Sequence, residues 1–297
     1  MKNKGFLYAL GTALMFASMG TLVKFTYKYS IMNANLLFFT SSVISCLLFM
    51  TLLLIKHKNF SFLKIDKKDL LVALGSGGLF GVFLANLAVL TSLQYVNVGI
   101  QTIITYSNPL FIVLINKFLF GEKLTKRSMF NIFLIVSGLS LVVGNVNFSG
   151  SNVSLGVMYA ILAAIFVATY SILSERIRVK IDQLQYWFYA FLGSTVYILI
   201  YMIFTKEIGL IGKLTGSLNI ELTVLLFSVA LINFAIPFIL FYKALTTIKA
   251  EKTNIILTLS PVLSTCLSCV VFGDYMQSSQ VIGAGFIVLA SMLSGKK

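Results

Sequence analysis

The residues of this sequence that are best suited to bind a ligand are uncharged amides and hydroxyls within apolar segments. Gln101, Thr105 and Asn108 follow the spacing i, i+4 and i+7, which places all three on one face of a helix. Asn254 and Thr258 share a helix face in the same way. Such groups suit neutral or zwitterionic solutes, whereas a phosphate ester would favour arginine or lysine. The residues predicted to bind a solute are Asn86, Gln101, Thr105, Asn108, Tyr170, Asn233, Asn254 and Thr258.

A purely structural role is the alternative for each of these residues taken singly. Asn, Thr and Ser also hydrogen-bond between membrane helices, at about 0.6–2 kcal/mol each. Two prolines favour the solute site, because a proline leaves one carbonyl unpaired a turn earlier in its helix. Bent or broken helices of this kind frame many transport sites. Pro109 and Pro261 are therefore predicted to be structural hinges.

Catalytic and metal chemistry lack the residues that they need. All nine acidic residues are predicted in loops or at helix ends, and a carboxylate inside a membrane span is the usual mark of proton coupling or of a cation site. His57 is the only histidine and lies in a basic loop. Cys266 and Cys269 have redox or metal spacing, but the apolar segment around them offers no partner for a thiolate. We predict no enzyme activity, no catalytic residue, no metal and no cofactor.

The elements that position these residues are predicted to be membrane helices. Hydrophobic residues make up 58% of the chain, charged residues 11%, and the mean hydropathy is +0.96. A membrane helix needs about 20 apolar residues, and unpaired backbone cannot face lipid, so long apolar runs predict an all-α membrane protein. Ten such runs cover residues 5–26, 34–55, 70–92, 97–119, 128–145, 155–174, 185–205, 221–243, 252–272 and 278–294.

The second half of the chain repeats the first. An offset of 151 residues aligns Gly5 and Tyr8 with Gly156 and Tyr159, and an offset of 152 aligns Pro109 with Pro261. The predicted repeats are residues 1–150 and 151–297, with five helices each. Because five is odd, the second copy enters the membrane from the opposite side. The sequence thus predicts ten transmembrane helices, arranged as two inverted five-helix repeats around a central cavity.

The distribution of basic residues predicts the orientation of the chain. Basic residues accumulate on the cytoplasmic side of membrane proteins. If both termini are cytoplasmic, 19 of the 23 lysines and arginines lie inside. The net charge of +14 then reflects loops that meet anionic lipid, and no nucleic-acid partner is predicted. The predicted location is a bacterial plasma membrane, crossed many times.

Short motifs recur at the end of each half. They read Ser107-Asn108-Pro109 with Gly121-Glu122, and Ser260-Pro261 with Gly273-Asp274; each is followed by a helix containing glycine, at Gly138 and at Gly283 with Gly285. These motifs resemble the EamA family, the ten-helix branch of the drug/metabolite transporter superfamily. Asp274 stands where the family pattern prefers Glu. The resemblance spans nearly the whole chain. It implies a central cavity lined by helices one, three, four, six, eight and nine, alternating access, and export of amino acids or related metabolites.

Together these observations predict a transporter for small metabolites. The favoured solutes are amino acids or related neutral or zwitterionic compounds, exported without an intramembrane carboxylate for proton coupling. Efflux of drugs or organic cations is the alternative within transport, and a non-transporting membrane partner or lipid-handling protein is the alternative outside it. The predicted partners are a small-molecule substrate and the lipid bilayer, and the chain is expected to be a monomer or a weak homodimer.

Overall fold

The computed structural model describes residues 2–122, 126–143, 152–176, 181–248, 256–257 and 259–294. These residues are mostly helical, and no strand occurs among them. A short helix, Gly209–Ser217, and a 3₁₀ turn, Phe60–Leu63, lie between the main helices. The main helices are α1 Lys2–Thr26, α2 Ala34–His57, α3 Lys67–Ser92, α4 Val98–Phe120, α5 Lys126–Val143, α6 Val153–Arg176, α7 Gln183–Phe204, α8 220–247, α9 Leu259–Phe272 and α10 Ser278–Ser294.

Seven of these helices are long and apolar enough to cross a membrane: α1, α2, α3, α4, α6, α7 and α8. The described parts of α5, α9 and α10 are shorter apolar helices. Asparagine begins three of the long helices, because the side chains of Asn33, Asn97 and Asn219 accept a hydrogen bond from the backbone N–H three residues later. We call the end of the bundle where α1 ends and α2 begins the distal end, and the opposite end the proximal end.

Helices that correspond between the two halves run antiparallel to each other. The helices α2 and α7 touch along their whole length, with residue numbers that rise on one as they fall on the other. The α4–α9 and α5–α10 pairs show the same relation, which is what an inverted repeat requires. The pairs are Asn35–Glu207, Ser42–Thr195, Phe49–Phe191 and Lys56–Asp182 for α2–α7; Gly99–Thr265, Thr102–Ser264 and Tyr106–Ser260 for α4–α9; and Val142–Gln280 with Gly138–Gly283 for α5–α10.

Contacts between the remaining helices obey the same symmetry. The contact of α3 with α7 is matched by that of α8 with α2, and the contact of α1 with α8 by that of α6 with α3. The contact of α1 with α9 is matched by that of α6 with α4. All these contacts join one half of the chain to the other, so the two repeats share one core. The predicted boundary between them, at residues 150 and 151, lies outside the described residues.

Both α3 and α8 contain a π-helical segment, which the sequence did not predict. The segments are Ala73–Leu84 and Val229–Ala235, and an offset of 151 brings their ends into register. Glycine accounts for the close packing of the first one, because a Cβ atom at Gly78 would lie 3.0 Å from the Ala190 carbonyl oxygen of α7. Pro237, just after the second segment, has no N–H to continue the helical ladder. Such segments occur often at functional sites.

The α5–α10 contact makes a prediction about stability. The backbones touch at Gly138 and Gly283, where a Cβ atom on Gly283 would lie 2.5 Å from the Gly138 carbonyl oxygen. We expect Gly283→Ala to lower the free energy of unfolding by about 1–3 kcal/mol through overpacking. Gly285→Ala is the matched control, since its new methyl group would meet no atom within 4 Å. Thermal unfolding in detergent should separate the two variants, and equal melting temperatures would contradict this account of the contact.

Candidate solute site

Helix α4 is interrupted at the position of its proline. Its first part ends at Thr105, a turn follows at Tyr106 and Ser107, and the second part begins at Asn108. Pro109 cannot donate to the Thr105 carbonyl oxygen. The side-chain amide of Asn108 donates to that oxygen instead, at 3.3 Å. The interruption therefore places a polar side chain and a redirected carbonyl side by side.

The three polar residues predicted on α4 form one continuous chain of hydrogen bonds. Gln101 is buried, and its amide donates to the Thr105 hydroxyl at 2.9 Å. Thr102 donates to the Gln101 side-chain oxygen at 3.3 Å and also lies 3.3 Å from the Ser264 hydroxyl of α9. The structure thus brings Gln101, Thr105 and Asn108 together and connects them to α9.

The α9 side of the predicted site is described only in part. Asn254 and Thr258 lie outside the described residues. Pro261 and its neighbour Ser260 are buried at the start of α9. The Tyr106 hydroxyl lies close to Ser260, although the Ser260 oxygen makes no hydrogen bond among the described residues.

Asn233 lies in the π-helical segment of α8 and joins that helix to α1. Its amide nitrogen donates to the Met15 carbonyl oxygen at 2.8 Å and to the Ser18 hydroxyl at 3.2 Å. A carbonyl can only accept, so this bond determines which way the amide is turned. The side-chain oxygen of Asn233 is left buried without a hydrogen-bond partner in the described part of the chain, in a residue that is 2% exposed.

Asn86 and Tyr170, which come from different helices, meet at Gly81 of α3. The Asn86 amide donates to the carbonyl oxygens of Gly81 and Val82, at 3.3 and 2.9 Å. Both acceptors belong to the π-helical segment. The Tyr170 ring of α6 packs on Gly81, where a Cβ atom would lie 2.7 Å from it. In this arrangement Asn86 bonds to its own helix, while Tyr170 presents its ring between α3 and α6.

Trp187 of α7 belongs to the same region, although it is not among the site residues that the sequence predicts. Its ring centroid lies 4.3 Å from that of Phe238 on α8 and 6.3 Å from that of Tyr170. Its indole N–H is buried without a partner among the described residues. The sequence signal was present, since Trp187 is the only tryptophan. An aromatic run at a helix start is, however, typical of a membrane interface.

Hydroxyl groups continue this cluster toward the proximal end. The Tyr186 hydroxyl lies 3.2 Å from that of Ser76 on α3. It also interacts with the hydroxyl of Tyr170. The cluster therefore connects α3, α6, α7 and α8 by aromatic and hydroxyl groups, without a formal charge.

The described charges lie toward the ends of helices. Asp182 pairs with Lys56 at 2.7 Å, and Glu207 accepts from Asn33 and Asn35 at 3.3 and 2.6 Å. Lys24, near the distal end of α1, is attracted by Asp274. Within the ranges that the structure describes, no group of His, Cys, Asp and Glu is arranged to hold a metal ion. The geometry suits recognition of an uncharged or zwitterionic molecule by hydrogen bonds and aromatic contacts.

The helices α1, α3, α4 and α6 are closely packed at their distal ends. Gly20 of α1 lies directly against Val98 at the start of α4. The Tyr27 hydroxyl donates to the Leu90 carbonyl oxygen at 2.8 Å, and burial raises the pKa of Tyr27 well above its usual range, so this donor stays protonated. Ser92 donates to the Gly156 carbonyl oxygen at 2.7 Å, which joins α3 to α6.

Comparison with known proteins identifies the family. The EamA-like transporter family model matches residues 3–144 and again 154–295. An uncharacterized transporter of Haemophilus influenzae is 23% identical over 98% of this chain and 94% of its own. The uncharacterized transporter YetK of Bacillus subtilis is 26% identical over 86% of this chain and 76% of its own length. The uncharacterized transporter YcbK of the same organism is 24% identical over 76% of this chain and 73% of its own length. A solved crystal structure with 17% identity superposes with a TM-score of 0.65 over 99% of this chain and 96% of the other, which shows a shared fold. The chain belongs to the EamA-like transporter family, within the drug/metabolite transporter superfamily, and is a multi-pass membrane transporter.

Proposed function

We propose that the protein exports a small neutral or zwitterionic solute of the amino-acid type. The observation that supports this most directly is a pair of buried, unpaired polar atoms of opposite kind. Asn233 offers a free acceptor oxygen and Trp187 a free N–H donor within the described residues. Leaving such a group unpaired costs about 1–3 kcal/mol, so a solute that reached both atoms with a donor and an acceptor would gain binding energy from each.

The surroundings of these atoms fit the same class of solute. The rings of Tyr170, Trp187 and Phe238 form an apolar wall that suits the side chain of an amino acid. The hydrogen-bonded chain on α4 supplies further uncharged donors and acceptors at Gln101, Thr105 and Asn108. Asn254 and Thr258 are proposed to face that chain across the site, with Pro109 and Pro261 as hinges and Asn86 shaping one wall. The contact between α4 and α9 supports this part of the proposal.

Transport is proposed to proceed by alternating access. The inverted repeat allows two related arrangements of the same helices, each closing one end of the path. The close packing of α1, α3, α4 and α6 at the distal end supports a state in which that end is closed. The other state would separate Gly20 from Val98 and bring the proximal ends together.

The chain is further proposed to cross the membrane ten times, with both termini in the cytoplasm of a bacterial cell. The antiparallel helix pairs and the 19-to-4 division of basic residues support it. The distal end then faces the outside, so an impermeant reagent added to intact cells would reach that end first. A monomer or weak homodimer in the plasma membrane is proposed as the working form.

Efflux of organic cations is the second candidate, and the aromatic cluster favours it. Three rings, those of Tyr170, Tyr186 and Trp187, lie within contact distance, and aromatic faces attract cations. Glu207 and Asp274 lie at the distal end, whereas Asp182 begins α7 one turn before Tyr186 and pairs with Lys56 at 2.7 Å. A carboxylate that is already paired offers a cation little counter-charge, which makes the zwitterionic solute the better fit.

A flux screen in proteoliposomes tests the proposed solute class. Purified protein is reconstituted and loaded with radiolabelled amino acids, nucleobases, quaternary amines or phosphate esters. We expect release of amino acids to exceed that from protein-free liposomes, with little release of phosphate esters. Because no described carboxylate lies at the middle of a span, an imposed pH gradient is expected to leave the flux unchanged. Release of quaternary amines alone, or a strongly pH-driven flux, would contradict the proposal.

A further inference from the structure

A groove of about 530 Å³ lies between α3 and α6 in the proximal half of the bundle. Its inner end is Ser76, whose hydroxyl lies 3.2 Å from that of Tyr186, so the groove borders the proposed solute site. The opposite face of α3 packs on α7 through Gly77 and Gly78, and the groove opens on the side where Leu71 is 69% exposed. This surface therefore faces the membrane. The lining residues are Lys68, Leu71, Val72, Gly75, Ser76, Phe80 and Leu173.

Lys68 lines the groove, and two further lysines, Lys64 and Lys67, precede it closely in the chain. Lys64, Lys67 and Lys68 are all exposed, and so is Asp66, which gives residues 64–68 a net charge of +2. The neighbouring Asp69 is buried. The salt bridge observed within the described ranges uses Lys56 instead. The mouth thus combines positive charge with an apolar interior.

The loop that carries this charge is held in place. Phe62 is buried against Phe188 of α7, with ring centroids 5.7 Å apart. Gln185 donates to the Phe62 carbonyl oxygen at 2.6 Å, and Tyr189 donates to that of Leu63 at 3.1 Å. Phe60 remains 63% exposed on the same loop. An anchored loop with an exposed ring and several lysines suits the interfacial layer of a membrane.

We propose that this groove binds an anionic phospholipid of the cytoplasmic leaflet. One acyl chain lies along Leu71, Gly75 and Phe80, and the phosphate group lies among Lys64, Lys67 and Lys68. The charge complementarity favours an anionic lipid over a zwitterionic one, because each lysine near an anionic surface contributes about 1 kcal/mol, or roughly five-fold in affinity. Leu173 of α6 forms the far wall, so a bound lipid would connect α6 to α3.

Two variants test the contacts of the acyl chain and those of the phosphate group separately. A Cβ atom at Gly75 would meet no atom within 4 Å, and Gly75 lines the groove, so the side chain of Gly75→Leu is expected to occupy part of it. Lys67→Gln with Lys68→Gln removes charge and leaves the groove open. Gly212→Leu is the matched glycine control, since that position in the short distal helix is equally unobstructed. Lys206→Gln with Lys213→Gln is the matched lysine control at the distal end.

The experiment is native mass spectrometry of the detergent-solubilised full chain, titrated with phosphatidylglycerol or with phosphatidylcholine of the same acyl chains. Wild type and both controls are expected to retain phosphatidylglycerol preferentially. Gly75→Leu should lose this retention, and the double lysine variant should bind it roughly 25-fold more weakly, from two lysines at about five-fold each. Equal retention of the two lipids by wild type would overturn the proposal. Undiminished phosphatidylglycerol binding by Gly75→Leu would also overturn it. So would retention of inorganic phosphate equal to the retention of phosphatidylglycerol.

Discussion

Gly20→Ala is expected to slow transport by roughly 5- to 150-fold. The new Cβ atom would overlap the Val98 side chain, whose Cγ2 atom would lie 3.0 Å away. Val98 is short and branched at Cβ, so it has little freedom to move aside. Overpacking costs about 1–3 kcal/mol, and here that cost falls only on the state whose distal end is closed. The rate of solute exchange in proteoliposomes measures the effect.

A second substitution shows whether the overlap is the cause. Val98→Ala removes the two overlapping methyl groups, so Gly20→Ala with Val98→Ala should recover most of the rate. Gly99→Ala is a control at the same end, because its Cβ atom would meet its nearest neighbours at an ordinary 3.6 Å. Failure of Val98→Ala to restore transport, with normal folding, would show that the distal contact does not limit the cycle.

Cysteine labelling on intact cells detects the same shift directly. A single cysteine at Thr105, in a chain with its three native cysteines replaced by serine, should react faster with an impermeant maleimide when Gly20→Ala is present. The distal end is proposed to face the outside, so the increase should occur with reagent added to the cells. An increase seen only in inside-out vesicles would reverse the proposed orientation.

Asn233→Leu is expected to raise the solute KM by about ten-fold or more. The substitution removes the unpaired acceptor oxygen proposed to bind the solute, and a hydrogen bond to a charged group of a zwitterion contributes about 1.5–3 kcal/mol. It also removes the bonds to Met15 and Ser18, so some loss of stability is expected too. Concentration-dependent exchange in proteoliposomes gives KM, and thermal unfolding gives the stability.

Ser18→Ala separates the two effects. It removes one of the bonds that join α1 to α8 and leaves the Asn233 oxygen in place. Its KM should therefore stay within about two-fold of wild type, because only a neutral hydrogen bond between helices is lost. If Asn233→Leu lowers the melting temperature and leaves KM unchanged, Asn233 only holds two helices together.

Much of the local architecture could be predicted from the sequence because it depends on properties read along the chain. The interruption of α4 follows from Pro109, which lacks the N–H that the helix needs. The partnership of Gln101 with Thr105 follows from their spacing on one helix. The family follows from motifs that recur in both halves. The site assignments themselves stay predictions.

Other parts of the candidate site depend on which helices pack together. Asn233 bonds to Met15, 218 residues away, and nothing in the sequence near either residue specifies that partner. Asn86 has the same side chain, yet its amide turns back to its own helix and donates to the carbonyl oxygens of Gly81 and Val82. The contact with Phe238 places Trp187 inside the bundle, and nothing in the sequence around Trp187 specifies that partner.

The sequence by itself determined that this is a helical membrane protein built from two repeats, because the lengths of apolar runs and the recurrence of motifs can be read along the chain. Only the tertiary structure decided which polar groups are satisfied and which are left free. That outcome depends on contacts between helices distant in sequence, such as Gly20 with Val98, where single methyl groups determine how closely the backbones approach. The repeat builds a symmetric scaffold, and packing leaves Asn233 and Trp187 unpaired within the described part of it.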